Sequence, residues 1–122
     1  MRMNESILQQ QIVLYLDHKK LYYHFRYWHT PNEGKRKVWY LKKLKNMGMK
    51  SGVPDLILEF SQSKFVYLEI KMPKGRLSSA QKLWKVNSEI LGTPFHVIKG
   101  TYEECKKQID NIFKDYEYAR IR

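Results

Sequence analysis

A chain of 122 residues with 23 Lys and Arg against 12 Asp and Glu has a formal charge of +11, which suits one domain, one core and a polyanionic partner. Hydrophobic residues at 43% and aromatics at 14% exclude a disordered chain. One cysteine, Cys105, excludes an intramolecular disulfide and a cysteine zinc site, and the four histidines lack close metal-ligand spacing. No apolar run is long enough to span a bilayer and the start has no signal-peptide pattern, so a cytoplasmic protein without a membrane partner is expected.

Asn4 predicts a cap for a helix over 5–19, with Leu8, Ile12, Tyr15 and Leu16 as its apolar stripe. Glu5 shares that core-facing side. A first-turn carboxylate suits the helix dipole, yet this one can also reach a site built from other elements. Residues 21–28 are dense in aromatics and predict a strand, followed by the turn-forming run Thr30-Pro31-Asn32-Glu33-Gly34. Residues 35–47 fit a short basic helix with Val38, Leu41 and Leu44 inward and lysines outward, ended by Gly48.

From Gly34 to Pro54 there is no acid, while Lys35, Arg36, Lys37, Lys42, Lys43, Lys45 and Lys50 all occur. Such concentration points to nucleic acid rather than to a generally solvated face. Lys74 and Arg76, in the loop over 72–77, are expected to join that DNA-contacting set.

Residues 56–60 and 65–70 are strand-like runs around a polar turn, Ser61-Gln62-Ser63-Lys64. Symmetry about that turn sets Leu56 opposite Glu69 and brings Asp55 next to Glu69 across the strands. Alternation places Tyr67, Glu69 and Lys71 on one face and Val66, Leu68 and Ile70 on the other. Pro54 fixes the approach to the strand and Gly52 lets the backbone turn into it.

Two carboxylates and an ammonium therefore converge at one end of a hairpin. Oxygen ligands of this kind suit Mg²⁺ or Mn²⁺, which can acidify a bound water and neutralise charge on a phosphate. Lys71 would be a point charge on the scissile phosphate, or would position or activate the attacking water. The chemistry expected of Asp55, Glu69 and Lys71 is that of a metal-dependent nuclease.

Ser78-Ser79-Ala80-Gln81 matches a capping box, opening a helix that runs to Leu91 and stops at Gly92. Gln81 thus has a purely structural explanation. Ala80, Leu83, Trp84, Asn87, Ile90 and Leu91 carry the helical spacing, with Trp84 expected in the core. A strand over 95–98 follows. Thr101 and Glu104 form a second capping box for a final helix with Ile109, Ile112, Phe113 and Tyr116 on one face, and Cys105 as a small buried residue. This order predicts one domain over 1–122 of the α/β class, a mixed central sheet flanked by helices.

Three motifs in order, Gly52-Val53-Pro54-Asp55, Glu69-Ile70-Lys71 and Leu77-Ser78-Ser79-Ala80-Gln81, resemble the VRR-NUC group of PD-(D/E)XK nucleases. Glu5 has a counterpart in the group's first-helix glutamate, and the loop over 31–34 is also similar. The resemblance spans nearly the whole chain and implies a stand-alone domain with a restriction-endonuclease-like core. It further implies that Asp55 and Glu69 bind the metal with help from the Ile70 carbonyl, and that Lys71 is catalytic. Glu5 would hold the metal or its waters, and Gln81 would sit at the edge of the site. Stand-alone members are similar to Holliday-junction resolvases, homodimers acting on branched DNA; two symmetric sites suit the cutting of two strands of a four-way junction.

The leading expectation is a Mg²⁺- or Mn²⁺-dependent DNA endonuclease acting as a homodimer on branched DNA, in a bacterial or phage-infected cell. A less selective nuclease for flaps, single strands or duplex is the first alternative. A non-catalytic DNA-binding protein of the same fold is the second.

Overall fold

The computed structural model describes residues 3–30 and 37–122. At its centre lie β2 (Leu56–Phe60) and β3 (Lys64–Lys71), the predicted hairpin. In β2 the residues Leu56, Leu58 and Phe60 are buried, while Ile57 and Glu59 between them are half-buried. That alternation gives the hairpin one fully apolar face. Strand β1 (Phe25–His29) pairs antiparallel with β2, and β4 (Phe95–Lys99) runs parallel to β3, giving the order β1-β2-β3-β4. The outer edge of β4 is partly closed by the Gln108 amide, which accepts from Lys99 N–H at 3.0 Å and donates to its carbonyl at 2.7 Å.

Helices α1 (Glu5–Lys19) and α4 (Tyr102–Phe113) contribute Leu8, Ile12, Leu16, Ile109, Ile112 and Phe113 to the core. There they join Leu56, Leu58, Val66, Leu68 and Ile70. Phe25, Phe60 and Phe113 pack ring against ring within this core, and Tyr116 stacks on Phe60 with ring centres 4.1 Å apart. Helix α3 (Ser79–Leu91) touches the other side of β3, where Trp84 meets Tyr67 with ring centres 6.4 Å apart. The architecture is the expected mixed sheet flanked by helices. Among the described residues no helix is long and apolar enough to cross a membrane.

Local chemistry starts α1, α3 and α4 where the sequence predicts, whereas the helix expected over 35–47 is described from Val38 with no side-chain cap. Asn4 accepts from Ile7 N–H at 2.9 Å to open α1. Both capping boxes are formed, Ser78 with Gln81 and Thr101 with Glu104. Cys105 is buried, as its position in a helix suggested.

Four expectations need correction. The hairpin turn uses residues 61–63, with Gln62 and Ser63 at φ 66° and 57°, and Phe60 pairs with Lys64. The register therefore sets Leu56 opposite Leu68 rather than Glu69, one residue from the symmetric construction. The first strand begins at Phe25, not at Leu21. Its predicted beginning is diverted to the C-terminal segment: His24 N–H donates to the Ala119 carbonyl at 2.7 Å, Ile121 N–H donates to the Tyr22 carbonyl at 2.8 Å, and Tyr23 bridges Arg120.

Helix α2 (Val38–Asn46) buries none of its residues, and Val38, expected inward, is 83% exposed. Leu41 and Leu44 are half-buried. The helix belongs to an excursion that leaves the sheet after His29 and returns before Leu56, so its apolar side is not laid against the sheet. The predicted loop over 31–34, with Lys35 and Arg36, lies outside the described residues.

Helix α3 is turned differently from its predicted stripe. Ser88 is buried and Ala80, Gln81 and Trp84 are half-buried, whereas Leu83, Ile90 and Leu91 face solvent, the last two at 76% and 82% exposure. Its rotation is set at its first turn. Gly52, at φ +79°, lies so close that an added Cβ would stand 2.4 Å from the Ala80 carbonyl oxygen and 2.9 Å from Gln81 N.

This contact separates two glycines that share a positive φ. Gly48, at φ +108°, has nothing within 4 Å of an added Cβ. In urea unfolding, Gly48→Ala is expected to lose about 1–2 kcal/mol from backbone strain alone. Gly52→Ala should lose clearly more, because the α3 backbone must also move; equal losses would remove the close-approach role of Gly52.

Candidate active site

The hairpin end gathers the acids. Asp55, one residue ahead of β2, extends the observed register to lie across from Glu69. Its Oδ2 accepts from Ile70 N–H at 2.7 Å. The segment is pinned from the β1 side as well, since Thr30 N–H donates to the Asp55 carbonyl at 3.0 Å and the Thr30 hydroxyl donates to the Pro54 carbonyl. These bonds fix the Asp55 carboxylate beside the next strand with little freedom of its own.

Glu69 is buried, at 1% exposure, and Asp55 and Lys71 are buried with it. Glu5 enters from the first turn of α1. Carboxylate oxygens of Glu5, Asp55 and Glu69 all lie within 4.8 Å of one another. Lys71 Nζ stands 3.9 Å from Glu69 Oε2, so the ammonium is placed beside the acids without closing a tight pair. Gln81 serves two sides at once. Its Oε1 accepts from Ser78 N–H at 2.8 Å in the capping box, and its Nε2 donates to Glu69 Oε2 at 3.2 Å. The cap and the site are thus one arrangement rather than competing explanations.

Three carboxylates this close repel one another, and one cation does not balance them. Burial pushes the Glu69 carboxyl up to about 9; the neighbouring Asp55 adds to this as a hydrogen-bonding and like-charged partner, Lys71 opposes it, and Glu5 adds slightly. Burial also raises Glu5, against Lys71 and helped by Asp55. Glu69 Oε1 is buried with no hydrogen-bond partner among the described residues. An orphaned oxygen in a cluster of like charges is the condition that a divalent cation relieves, and an all-oxygen donor set fits Mg²⁺ or Mn²⁺. Ile70 places its N–H on Asp55, while its side chain lies in the core.

One side of the site is a groove of about 650 Å³ between α1 and the hairpin end, lined by Glu5, Gln9, His29 and Asp55 among others. His29 Nδ1 lies 2.9 Å from the Asp55 carbonyl oxygen and 3.1 Å from Gln9 Nε2. Sequence spacing does not single out these two residues, because His29 stands 26 positions from Asp55. Only the pairing of His29 with Leu56 brings them together.

The expected DNA-contacting side chains that are described, Lys37, Lys42, Lys43, Lys45, Lys50, Lys74 and Arg76, are all exposed. Lys74 and Arg76 follow Lys71 by way of a turn in which Gly75 N–H donates to the Met72 carbonyl at 2.8 Å. Lys35 and Arg36 lie outside the described residues.

Comparison with known proteins bears on this arrangement. Residues 3–102 match the family model described as the VRR-NUC domain. No curated protein matches the chain. A solved structure titled "VRR_NUC domain" shares the fold at a TM-score of 0.59 and 16% identity, over 87% of this chain and 94% of that one. The matched segment runs from α1 through β4, taking in Glu5, Asp55, Glu69, Lys71 and Gln81, and on that extent the chain belongs to the VRR-NUC family of nuclease domains with a restriction-endonuclease-like fold.

Proposed function

We propose that this nuclease domain hydrolyses DNA phosphodiester bonds with Mg²⁺ or Mn²⁺, and that it acts as a homodimer on branched DNA such as a four-way junction. The observation that carries the reading is the cluster of Glu5, Asp55 and Glu69 oxygens within 4.8 Å, with Lys71 beside it and Glu69 Oε1 unpartnered. Asp55 and Glu69 hold the metal, Glu5 holds the metal or its waters, and the Ile70 carbonyl completes the protein ligands. Such an ion, when bound, supplies a more acidic water and neutralises charge developing on the phosphate. Lys71 places a positive charge on the scissile phosphate or orients the attacking water. Gln81 holds Glu69 in position through Oε2. Lys74 and Arg76, just beyond Lys71, meet the flanking phosphates.

A pure DNA-binding role is disfavoured by the burial of the acids. A binder gains nothing from carboxylates buried together and turned toward phosphates, since each must be desolvated without a compensating cation. The branch preference rests on the family resemblance. The homodimer has a further support in α3, whose Leu83, Val86, Ile90 and Leu91 form an exposed apolar stripe. A second copy covering that stripe would bury it and set two sites in symmetry.

The decisive assay is cleavage of a labelled four-way junction against matched duplex and flap, with Mg²⁺ or Mn²⁺ and with EDTA. Symmetric nicking of the junction is expected, lost in EDTA. Asp55→Asn and Glu69→Gln should each lower cleavage by at least about 10²–10³-fold while DNA binding stays largely intact. Cutting of flap or duplex instead would keep the nuclease and discard the junction preference; no metal-dependent cutting of any probe would overturn the enzyme.

The double duty of Gln81 separates cap from site. Gln81→Glu retains a capping-box residue, so thermal stability is expected to change by less than about 1 kcal/mol. It also sets a fourth carboxylate against Glu69, so cleavage should fall by tenfold or more, a ratio of about 1.4 kcal/mol. Unchanged cleavage would confine Gln81 to the helix cap.

The dimer is checked by sedimentation. Ile90→Glu with Leu91→Glu, both on the exposed side of α3, should convert the dimer to a monomer without unfolding it. A dimer that persists would place the interface elsewhere.

A further inference from the structure

Helix α2 carries an aromatic surface that neither the core nor the acidic site uses. Its half-buried side is Leu41 and Leu44. Trp39, Lys42, Lys43 and Asn46 follow one another at helical spacings of three and four, so they share the opposite side. Trp39 is 65% exposed there, with the Tyr40 ring edge-on to it at 5.7 Å between centres. Trp39 thus lies away from the half-buried side of the helix. A large ring left in water beside two lysines has the composition of a surface that stacks on a nucleobase and pairs with its phosphates.

Position and charge agree with that partner. The excursion bearing α2 leaves and returns at Thr30 and Asp55, which are joined backbone to backbone at 3.0 Å. Asn46 and Asp55 are nine residues apart, so the helix end is tethered within about 30 Å of the acidic cluster. Lys37, Lys42, Lys43, Lys45 and Lys50 occur here with no acid between Gly34 and Pro54, a charge balance that suits a polyanion and opposes pairing with a second, equally basic copy of this segment.

We infer that the outer side of α2 is a stacking platform for an unpaired nucleobase, with Trp39 under the base and Lys42 and Lys43 on the adjoining phosphates. In a duplex the base faces are already stacked, so the platform selects DNA in which a strand is single or splayed near the cut. This rests on the proposal that DNA is the substrate, and it names the feature of that DNA which α2 recognises.

Fluorescence anisotropy tests it with the full chain in EDTA, where binding is measured whether or not the site cuts. The probes are a single strand, a flap and a matched duplex, each across a range of salt. Trp39→Ala is expected to weaken single-strand and flap binding by about tenfold or more and duplex binding by less than about twofold. Its salt slope should stay unchanged, and Trp39→Phe should recover most of the affinity. Lys42→Ala with Lys43→Ala should lower the salt slope on all three probes, as loss of phosphate contacts requires. Because α2 buries no residue, these variants should keep the parent's thermal midpoint. An equal loss on duplex and single strand, no loss on any probe, or a Trp39→Ala effect confined to sedimentation or to binding of anionic vesicles would overturn the platform.

Discussion

Like charge held out of water is the constraint around which this molecule is arranged. Glu69 is almost completely buried, Asp55 is buried next to it, and Glu5 faces both from α1. Burial favours a protonated Glu69, and each neighbouring acid adds to that preference, with Lys71 the opposing charge. A fold stabilised by its core alone would place leucine or valine at these positions. The nuclease chemistry proposed above, in which a cation and a phosphate would meet there, accounts for acids at these positions.

Much of the surrounding structure holds that arrangement in register. Asp55 is locked by Ile70 N–H on one side and by the Thr30 backbone on the other. Gly52 lets the approach to β2 pass hard against α3, and this closeness sets the first turn of α3, including Gln81, over Glu69. Core and site are therefore not separate. Leu68 and Ile70 fill the α1 and α4 side of the sheet while Glu69 and Lys71, their neighbours in the chain, form the site.

Outside the acidic cluster the surface divides into different chemistries. The segment around α2 is cationic and aromatic, suited to strands with exposed bases and phosphates. The outward side of α3 exposes Leu83, Val86, Ile90 and Leu91 beside the Lys85–Glu89 ion pair, suited to another protein surface. The groove beside Asp55 joins Gln9, His29, Val13 and Leu14 to the Glu5 and Asp55 carboxyls of the cluster. The basic aromatic face of α2, the apolar face of α3 and the acidic cluster are thus carried by different elements and different side chains.

What the sequence by itself determined follows from short-range chemistry. Asn4, Ser78 with Gln81, Thr101 with Glu104, and Gly92 mark helix ends because caps depend on residues a few positions apart. Alternation in 65–71 separated Leu68 and Ile70 from Glu69 and Lys71, and the spacing of the acids was legible because a hairpin is a local object. The tertiary structure decided what depends on distant segments. The hairpin register shifted by one residue, since three turn residues rather than four close it. Residues 21–24 were drawn from the sheet by hydrogen bonds to Ala119 and Ile121, nearly a hundred positions away. The orientation of α3 depended on Gly52, and the approach of His29 to Asp55 on strand pairing, neither of which has any periodicity in the chain. Periodicity identifies an apolar side, but only packing decides whether that side meets the core, as for Leu8 and Ile12, or remains in solvent, as for Ile90 and Leu91.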